Sequence, residues 1–245
     1  MEVHAHSHTQ RKKWTHYFWE FLMLFLAVFC GFLAEYQLEH VIEKQKEKQY
    51  IQSMIEDLQA DTANLQKSIA SYLLRENNFD TVQNLYRYIA TGYNNTLRSN
   101  IRKIIGYKDF IPTDKTLQQL KNSGGLRLIR NRKAVDGISL YDSRLKDHDI
   151  ATADLRDVFG DVDRLLSEIF DNQQLDEDKK VMSIEQLEKT GKKYLLKEDN
   201  ATLGKFYNRI SGYRFLKKLV YTRLVALKQR AIDLMALLKK EYHLK

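Results

Sequence analysis

Near its N-terminus this 245-residue chain reads WTHYFWEFLMLFLAVFCGFLAEYQLEHVIEKQKEKQYIQSMIEDLQADTANL, residues 14–65. Within this stretch residues 21–34, FLMLFLAVFCGFLA, carry no polar side chain, and aromatic residues extend the apolar segment to Tyr17 and Tyr36. A helix over residues 17–36 is about 30 Å long, which matches the hydrocarbon thickness of a bilayer. We therefore predict that residues 17–36 form a transmembrane helix.

Three other kinds of segment carry similar apolar sequence. A cleaved signal peptide needs small residues before the cleavage site, and residues 32–34 (FLA) fit that pattern poorly. A lipoprotein signal needs small residues before Cys30, where Val28 and Phe29 stand. A helix packed in a soluble protein shows one apolar stripe, whereas this segment is apolar on every face. The membrane anchor is the preferred interpretation, and its predicted residues are Trp14, Tyr17, Trp19, Phe21, Leu22, Leu24, Phe25, Leu26, Val28, Phe29, Phe32, Leu33 and Tyr36.

The charges beside the segment predict its orientation. Residues 11–13 (Arg11, Lys12 and Lys13) precede it, and three lysines between residues 44 and 48 follow it among glutamates. The first group is closer to the segment and has no acidic neighbours, so the positive-inside rule favours a cytoplasmic N-terminus and a C-terminal domain outside the cytoplasm. Glu20 lies four residues from His16, and we interpret it as a carboxylate that reaches the interface or pairs locally, in preference to part of an ion path.

The remainder of the chain predicts an all-α domain. It contains a single proline and few glycines, so long helices are favoured. Apolar residues recur every three or four positions over residues 51–73 and 203–238, which predicts long first and last helices that pair in an up-and-down bundle. We assign residues 1–16 to a cytoplasmic tail, 17–36 to the transmembrane helix, 37–50 to a helical stalk and 51–245 to the soluble bundle.

Shorter helices are predicted between the two long ones. Thr113 is a plausible N-cap, Gly124 and Gly125 form a structural turn that ends the helix before them, and residues 172–180 (NQQLDEDKK) are a polar loop. The predicted intermediate helices lie at residues 79–90, 96–105, 114–122, 135–145 and 155–170.

The sequence lacks the motifs of common catalytic and metal sites. Cys30 is the only cysteine, which excludes a multi-cysteine zinc site. No phosphate-binding glycine loop, His-Glu-x-x-His motif or Gly-x-Ser-x-Gly elbow is present. We therefore predict a protein that is not an enzyme and has no cofactor. His4, His6 and His8 are weak metal-binding candidates in the tail. The net charge of +8 is spread through interleaved acidic and basic residues, and no nucleic acid is expected as a partner.

Two separated blocks resemble a family of uncharacterised bacterial single-pass inner-membrane proteins with a domain of unknown function. The first is residues 14–65, which end in the Glu-Asp-Leu-x-x-Asp run at residues 56–61. The second is TLQQLKNSGGLRLIRNRKAVDGISLYDSRL, residues 116–145. The resemblance covers about a third of the chain. It implies an inner-membrane location with a periplasmic helical domain, and it implies no catalytic residue.

Three functions fit these observations. The first is a non-enzymatic module, anchored in the lipid bilayer, that binds a partner protein or organises a membrane complex, either with a different protein or as a homo-oligomer. The second is an extracytoplasmic domain that senses a small ligand and signals through another subunit. The third is a cytoplasmic-facing basic domain that binds anionic lipid or nucleic acid, and the orientation of the anchor distinguishes it from the other two.

Overall fold

The computed structural model describes residues 14–76, 79–80, 95–106 and 109–244, except the side chain of Leu97. In this part of the chain the fold is all-α and contains no β-strand; one isolated bridge joins Phe170 to Leu195. A 3-10 turn occupies Gly125–Leu128. The α-helices are α1 (Trp14–Glu76), α2 (Asn95–Ile105), α3 (Lys115–Asn122), α4 (Arg132–Ile169), α5 (Asn172–Asp178), α6 (Ile184–Lys189) and α7 (Asn200–Glu241).

Helix α1 runs without a break for 63 residues, as the absence of proline and the spacing of apolar residues predict. The chain divides within this helix into two compact units, residues 1–50 and residues 51–245. In the first unit the polar segment at residues 37–50 is mostly exposed, but Glu47 is buried, which differs from the exposed stalk that we predicted.

The second unit is a helical bundle whose closest helix pair is α4 and α7. Two contacts near opposite ends of this pair show that the helices are antiparallel: Asn131 donates from Nδ2 to Glu241 Oε2 at 2.8 Å, and Arg209 pairs with Asp161. Gly137 permits a close approach, because a Cβ atom there would lie 2.8 Å from Leu234 Cδ1. The pair therefore forms the centre of the bundle.

Helix α1 packs on this pair through side chains. Lys228 of α7 donates from Nζ to Gln66 Oε1 at 2.5 Å, and Arg214 Nε lies 2.8 Å from Glu76 Oε1. These contacts make the part of α1 in the second unit, residues 51–76, antiparallel to α7. The sequence predicts that the first and last helices would be each other's main partners, but the closer partner of α7 is α4.

Helix α4 is a single helix of 38 residues where the sequence predicts two. The predicted gap between residues 145 and 155 is helical because His148, Ala151 and Thr152 are buried there and continue the inward-facing stripe of the helix. Two of these three residues are polar, and this interrupts the apolar pattern in the sequence without interrupting the helix. The long α4 explains why α7 finds its closest partner there.

A small cap follows α4. Residues 172–178 form helix α5, not the polar loop that the sequence predicts, because the side chain of Asp171 accepts a hydrogen bond from the Gln174 amide and so caps the helix. Helix α6 begins with a capping box between Ser183 and Gln186. Both helices cover a small apolar core composed of Leu175, Leu187 and Tyr194.

Candidate functional site

The N-terminal part of α1 has an apolar surface that packs against nothing within its unit. Every residue from 14 to 39 is exposed except Leu22, which is half-buried. Leu24 and Phe32 are each 67% exposed, although large apolar side chains normally avoid water. This helix is long and apolar enough to cross a membrane, and all the predicted anchor residues except the half-buried Leu22 are exposed.

Aromatic side chains in this segment stack along one side of the helix. Ring centroids are 6.1 Å apart for Trp14 and Phe18, 6.2 Å for Phe21 and Phe25, and 5.9 Å for Phe25 and Phe29. Residues four apart lie above one another on a helix, so these pairs form an aromatic stripe. In the described part of the chain no ion pair joins His16 to Glu20.

The second feature is a buried junction between α1, α3 and α4. Asp61 of α1 is only 1% exposed. Its Oδ2 accepts a hydrogen bond of 2.6 Å from the Tyr141 hydroxyl, and its Oδ1 accepts one of 2.6 Å from the Thr113 amide. One turn earlier, Asp57 Oδ2 accepts a bond of 2.9 Å from the Thr116 amide. The Glu-Asp-Leu-x-x-Asp run in the first sequence block thus binds residues in and beside the second block.

Asp57 caps helix α3 from another helix. Amide groups in the first turn of a helix have no partner within the helix and need an external acceptor. The sequence predicts Thr113 as the N-cap, but Asp114 occupies that position and makes no capping bond with its side chain. The Asp57 carboxylate takes this role at the second residue of the helix, Thr116. The N-cap position is therefore one residue later than predicted, and the carboxylate that accepts from the free amide belongs to Asp57 of α1.

Burial changes the acidity of the groups in this junction. It raises the pKa of Asp61 above its usual range, and the nearby charge of Asp57 acts in the same direction, while hydrogen bonds from Tyr141 and Thr113 oppose this rise. Burial and the Asp61 carboxylate also raise the pKa of Tyr141. The phenol therefore stays protonated at neutral pH and donates to Asp61.

A buried lysine lies further along the bundle, where α1, α2 and α7 meet. Lys217 is 2% exposed, and its Nζ donates to the Ile104 carbonyl at 3.2 Å. The ammonium lies 5.1 Å from the ring centroid of Phe79 and 5.8 Å from those of Tyr72 and Tyr213. Desolvation, followed by the positive charge of Arg75, lowers the pKa of Lys217 to about 8, whereas Glu76 acts in the opposite direction.

A buried histidine occupies the middle of α4. His148 is 2% exposed; its Nε2 lies 3.9 Å from Asp109 Oδ1, and its Nδ1 is buried and has no hydrogen-bond partner among the described residues. Burial lowers the pKa of this imidazole despite the nearby carboxylate. Neither His148 nor Lys217 stands in a recognisable motif. The only signal in the sequence is that each falls, at helical spacing, on the buried face of its helix, which distinguishes it from the exposed histidines and lysines.

The remaining predicted residues fall into two groups. Gly124 has φ 68°, in the left-handed region that favours glycine, and Gly125 is buried beside Leu120. Arg11, Lys12 and Lys13, with the histidines His4, His6 and His8, lie outside the described residues, as does most of the helix predicted at 79–90. Among the described residues no group of three His, Cys, Asp or Glu side chains is arranged to hold a metal ion.

No family model, no curated protein and no solved structure matches this chain.

Proposed function

We propose that the protein is a single-pass, non-enzymatic membrane module whose helical domain binds a partner protein or organises a membrane complex. The observation that carries this proposal is the exposed apolar part of α1, because water solvates such a surface poorly and a bilayer solvates it well. The buried junction at Asp61 supports it further. It uses polar groups to join three helices, as expected of a rigid binding domain.

We further propose that the protein lies in a bacterial inner membrane with a cytoplasmic N-terminus and a periplasmic domain. The support comes from the basic residues 11–13 and from the family resemblance of residues 14–65 and 116–145. A variant with Cys30→Ser and a single new cysteine at Leu244 tests this orientation. A membrane-impermeant maleimide should label that cysteine in intact spheroplasts. Labelling only after lysis would reverse the orientation and favour a cytoplasmic basic domain that binds anionic lipid or nucleic acid.

Photocrosslinking in native membranes tests the partner. Phe215 on α7 is 70% exposed, which makes it a suitable position for a photoreactive phenylalanine analogue. We expect one reproducible crosslinked protein, either a different chain or a second copy of this one. The matched control carries the analogue at Asp154, an exposed acidic position on α4. Absence of any product, or identical products from both positions, would count against a specific partner at this face of the bundle.

A further inference from the structure

A cavity of about 340 Å³ lies in the bundle between α2 and the C-terminal half of α4. Its apolar lining includes Ile105, Phe159, Leu166 and Phe170, and its polar lining includes Arg98, Arg102 and Asp163. Small-molecule sites in proteins have volumes of about 300–1,000 Å³, with mainly apolar walls and a few polar groups. In size and composition this cavity resembles a site for a small ligand.

Part of the polar lining is already bound within the protein. The Arg98 guanidinium donates to the side-chain carbonyl of Asn172 and lies 4.9 Å from the ring centroid of Phe170. The Ser167 hydroxyl donates to the Asp163 backbone carbonyl at 3.0 Å. These contacts hold one wall of the cavity in place but leave little hydrogen-bonding capacity for a ligand.

Arg102 and Asp163 differ from those groups. Both side chains are exposed and line the cavity, one from α2 and the other from α4. In the described part of the chain neither makes an ion pair or a side-chain hydrogen bond, and they do not pair with each other. By contrast, Asp161 on the same helix pairs with both Arg164 and Arg209. Two groups of opposite charge that line one cavity and are not joined to each other can each pair with one end of a molecule that carries both signs.

We propose that this cavity binds a small zwitterion with an aromatic body, the chemistry of an aromatic α-amino acid. The ligand carboxylate would pair with Arg102 and its ammonium group with Asp163. Its ring would pack on Phe159, Phe170 and Leu166. Hydrogen bonds between two charged groups are stronger than neutral ones, so both ends of the ligand add affinity as well as orientation. This inference concerns the soluble domain and stands independently of the proposed membrane complex.

Titration calorimetry of the full chain in nanodiscs of neutral lipid tests the proposal, with empty nanodiscs correcting for partition into lipid. Three probes separate the charges: L-phenylalanine, 3-phenylpropionate without the ammonium group, and phenethylamine without the carboxylate. We expect L-phenylalanine to bind at least about tenfold more tightly than either analogue, as the loss of one charged hydrogen bond implies. Equal binding of all three probes, or no binding of L-phenylalanine at millimolar concentration, overturns the proposal.

Two substitutions test which charged group of the ligand each of the two side chains binds. Arg102→Gln should weaken L-phenylalanine and 3-phenylpropionate about tenfold and leave phenethylamine unchanged. Asp163→Asn should weaken L-phenylalanine and phenethylamine and leave 3-phenylpropionate no weaker. The matched controls are Lys103→Gln and Asp157→Asn, which remove the same charges from exposed positions on the same helices outside the cavity lining. If the controls weaken binding as much as the test variants, the site lies elsewhere.

Discussion

Replacement of Lys217 with methionine should stabilise the bundle at neutral pH. Lys217 is buried against the rings of Tyr72, Phe79 and Tyr213, and its pKa falls from 10.5 to about 8. At 1.36 kcal/mol per pKa unit, the ammonium form of this side chain lowers the stability of the folded state by roughly 3 kcal/mol relative to the neutral amine. Methionine has a similar shape and no charge to desolvate.

The substitution also removes the hydrogen bond from Nζ to the Ile104 carbonyl, which is worth about 1 kcal/mol. The expected net gain at pH 7 is therefore about 2 kcal/mol, the difference between these two effects. The contribution of Lys217 to the stability of the folded protein changes with pH in a definite direction. Below pH 8 the lysine is protonated in both folded and unfolded chains, and its burial cost is complete. Between pH 8 and 10.5 the folded chain binds fewer protons than the unfolded chain, so the stability of the native protein rises with pH.

Urea unfolding of the full chain in mild detergent, followed by circular dichroism at pH 7 and pH 10.5, measures both effects. Across this range the effect of Lys217→Met should change by roughly 3 kcal/mol, from about 2 kcal/mol of stabilisation at pH 7 to about 1 kcal/mol of destabilisation at pH 10.5, because the native lysine becomes neutral and keeps its hydrogen bond. Lys218→Met is the control, since Lys218 is the exposed neighbour and its charge remains solvated. A variant that is less stable than the native protein at pH 7, or a difference that does not change with pH, would refute the burial cost assigned to Lys217.

The remaining predictions concern the junction and the glycines, and all are measured by the same unfolding assay. Tyr141→Phe should lower the free energy of unfolding by about 1.5–3 kcal/mol, because the buried Asp61 carboxylate loses a donor at 2.6 Å. The control is Tyr221→Phe, on a half-buried residue of α7, which should have a smaller effect. Equal losses from the two variants would contradict the role of the hydrogen bond between Tyr141 and Asp61. Because the pKa of Asp61 is raised in the folded state, its carboxyl group stabilises the fold most below its unfolded pKa of 3.8 and loses this contribution as the pH rises through the folded pKa. Asp61→Asn should therefore flatten the pH dependence of stability between the unfolded and the folded pKa. Gly124→Ala should destabilise the domain by about 1–2 kcal/mol, because the φ of 68° at this position is unfavourable for a residue with a Cβ atom. Gly160→Ala within α4 is the control and should stabilise the domain by up to about 1 kcal/mol. An unchanged free energy of unfolding for Gly124→Ala would contradict the need for glycine at this position.

The N-terminal apolar helix and the other long helices could be predicted because their signals are local. The apolar run at residues 21–34 and the periodic stripes over residues 51–73 and 203–238 each depend on neighbouring residues in the chain. The continuity of α4 could not be predicted in the same way. His148 and Thr152 break the apolar pattern, and only their burial against other elements shows that they continue the inner face of the helix.

The sequence by itself determined the helical class of this protein, its membrane-like segment and the approximate ends of α1 and α7, because side-chain polarity and backbone preference act over one or two helical turns. The tertiary structure decided which helices are partners. It made α4, not α1, the closest partner of α7, brought Asp57 and Asp61 to the amides of Thr116 and Thr113 more than fifty residues away, and enclosed Lys217 among aromatic rings. These arrangements depend on close packing and on partners for buried polar groups, which are properties of the folded chain as a whole.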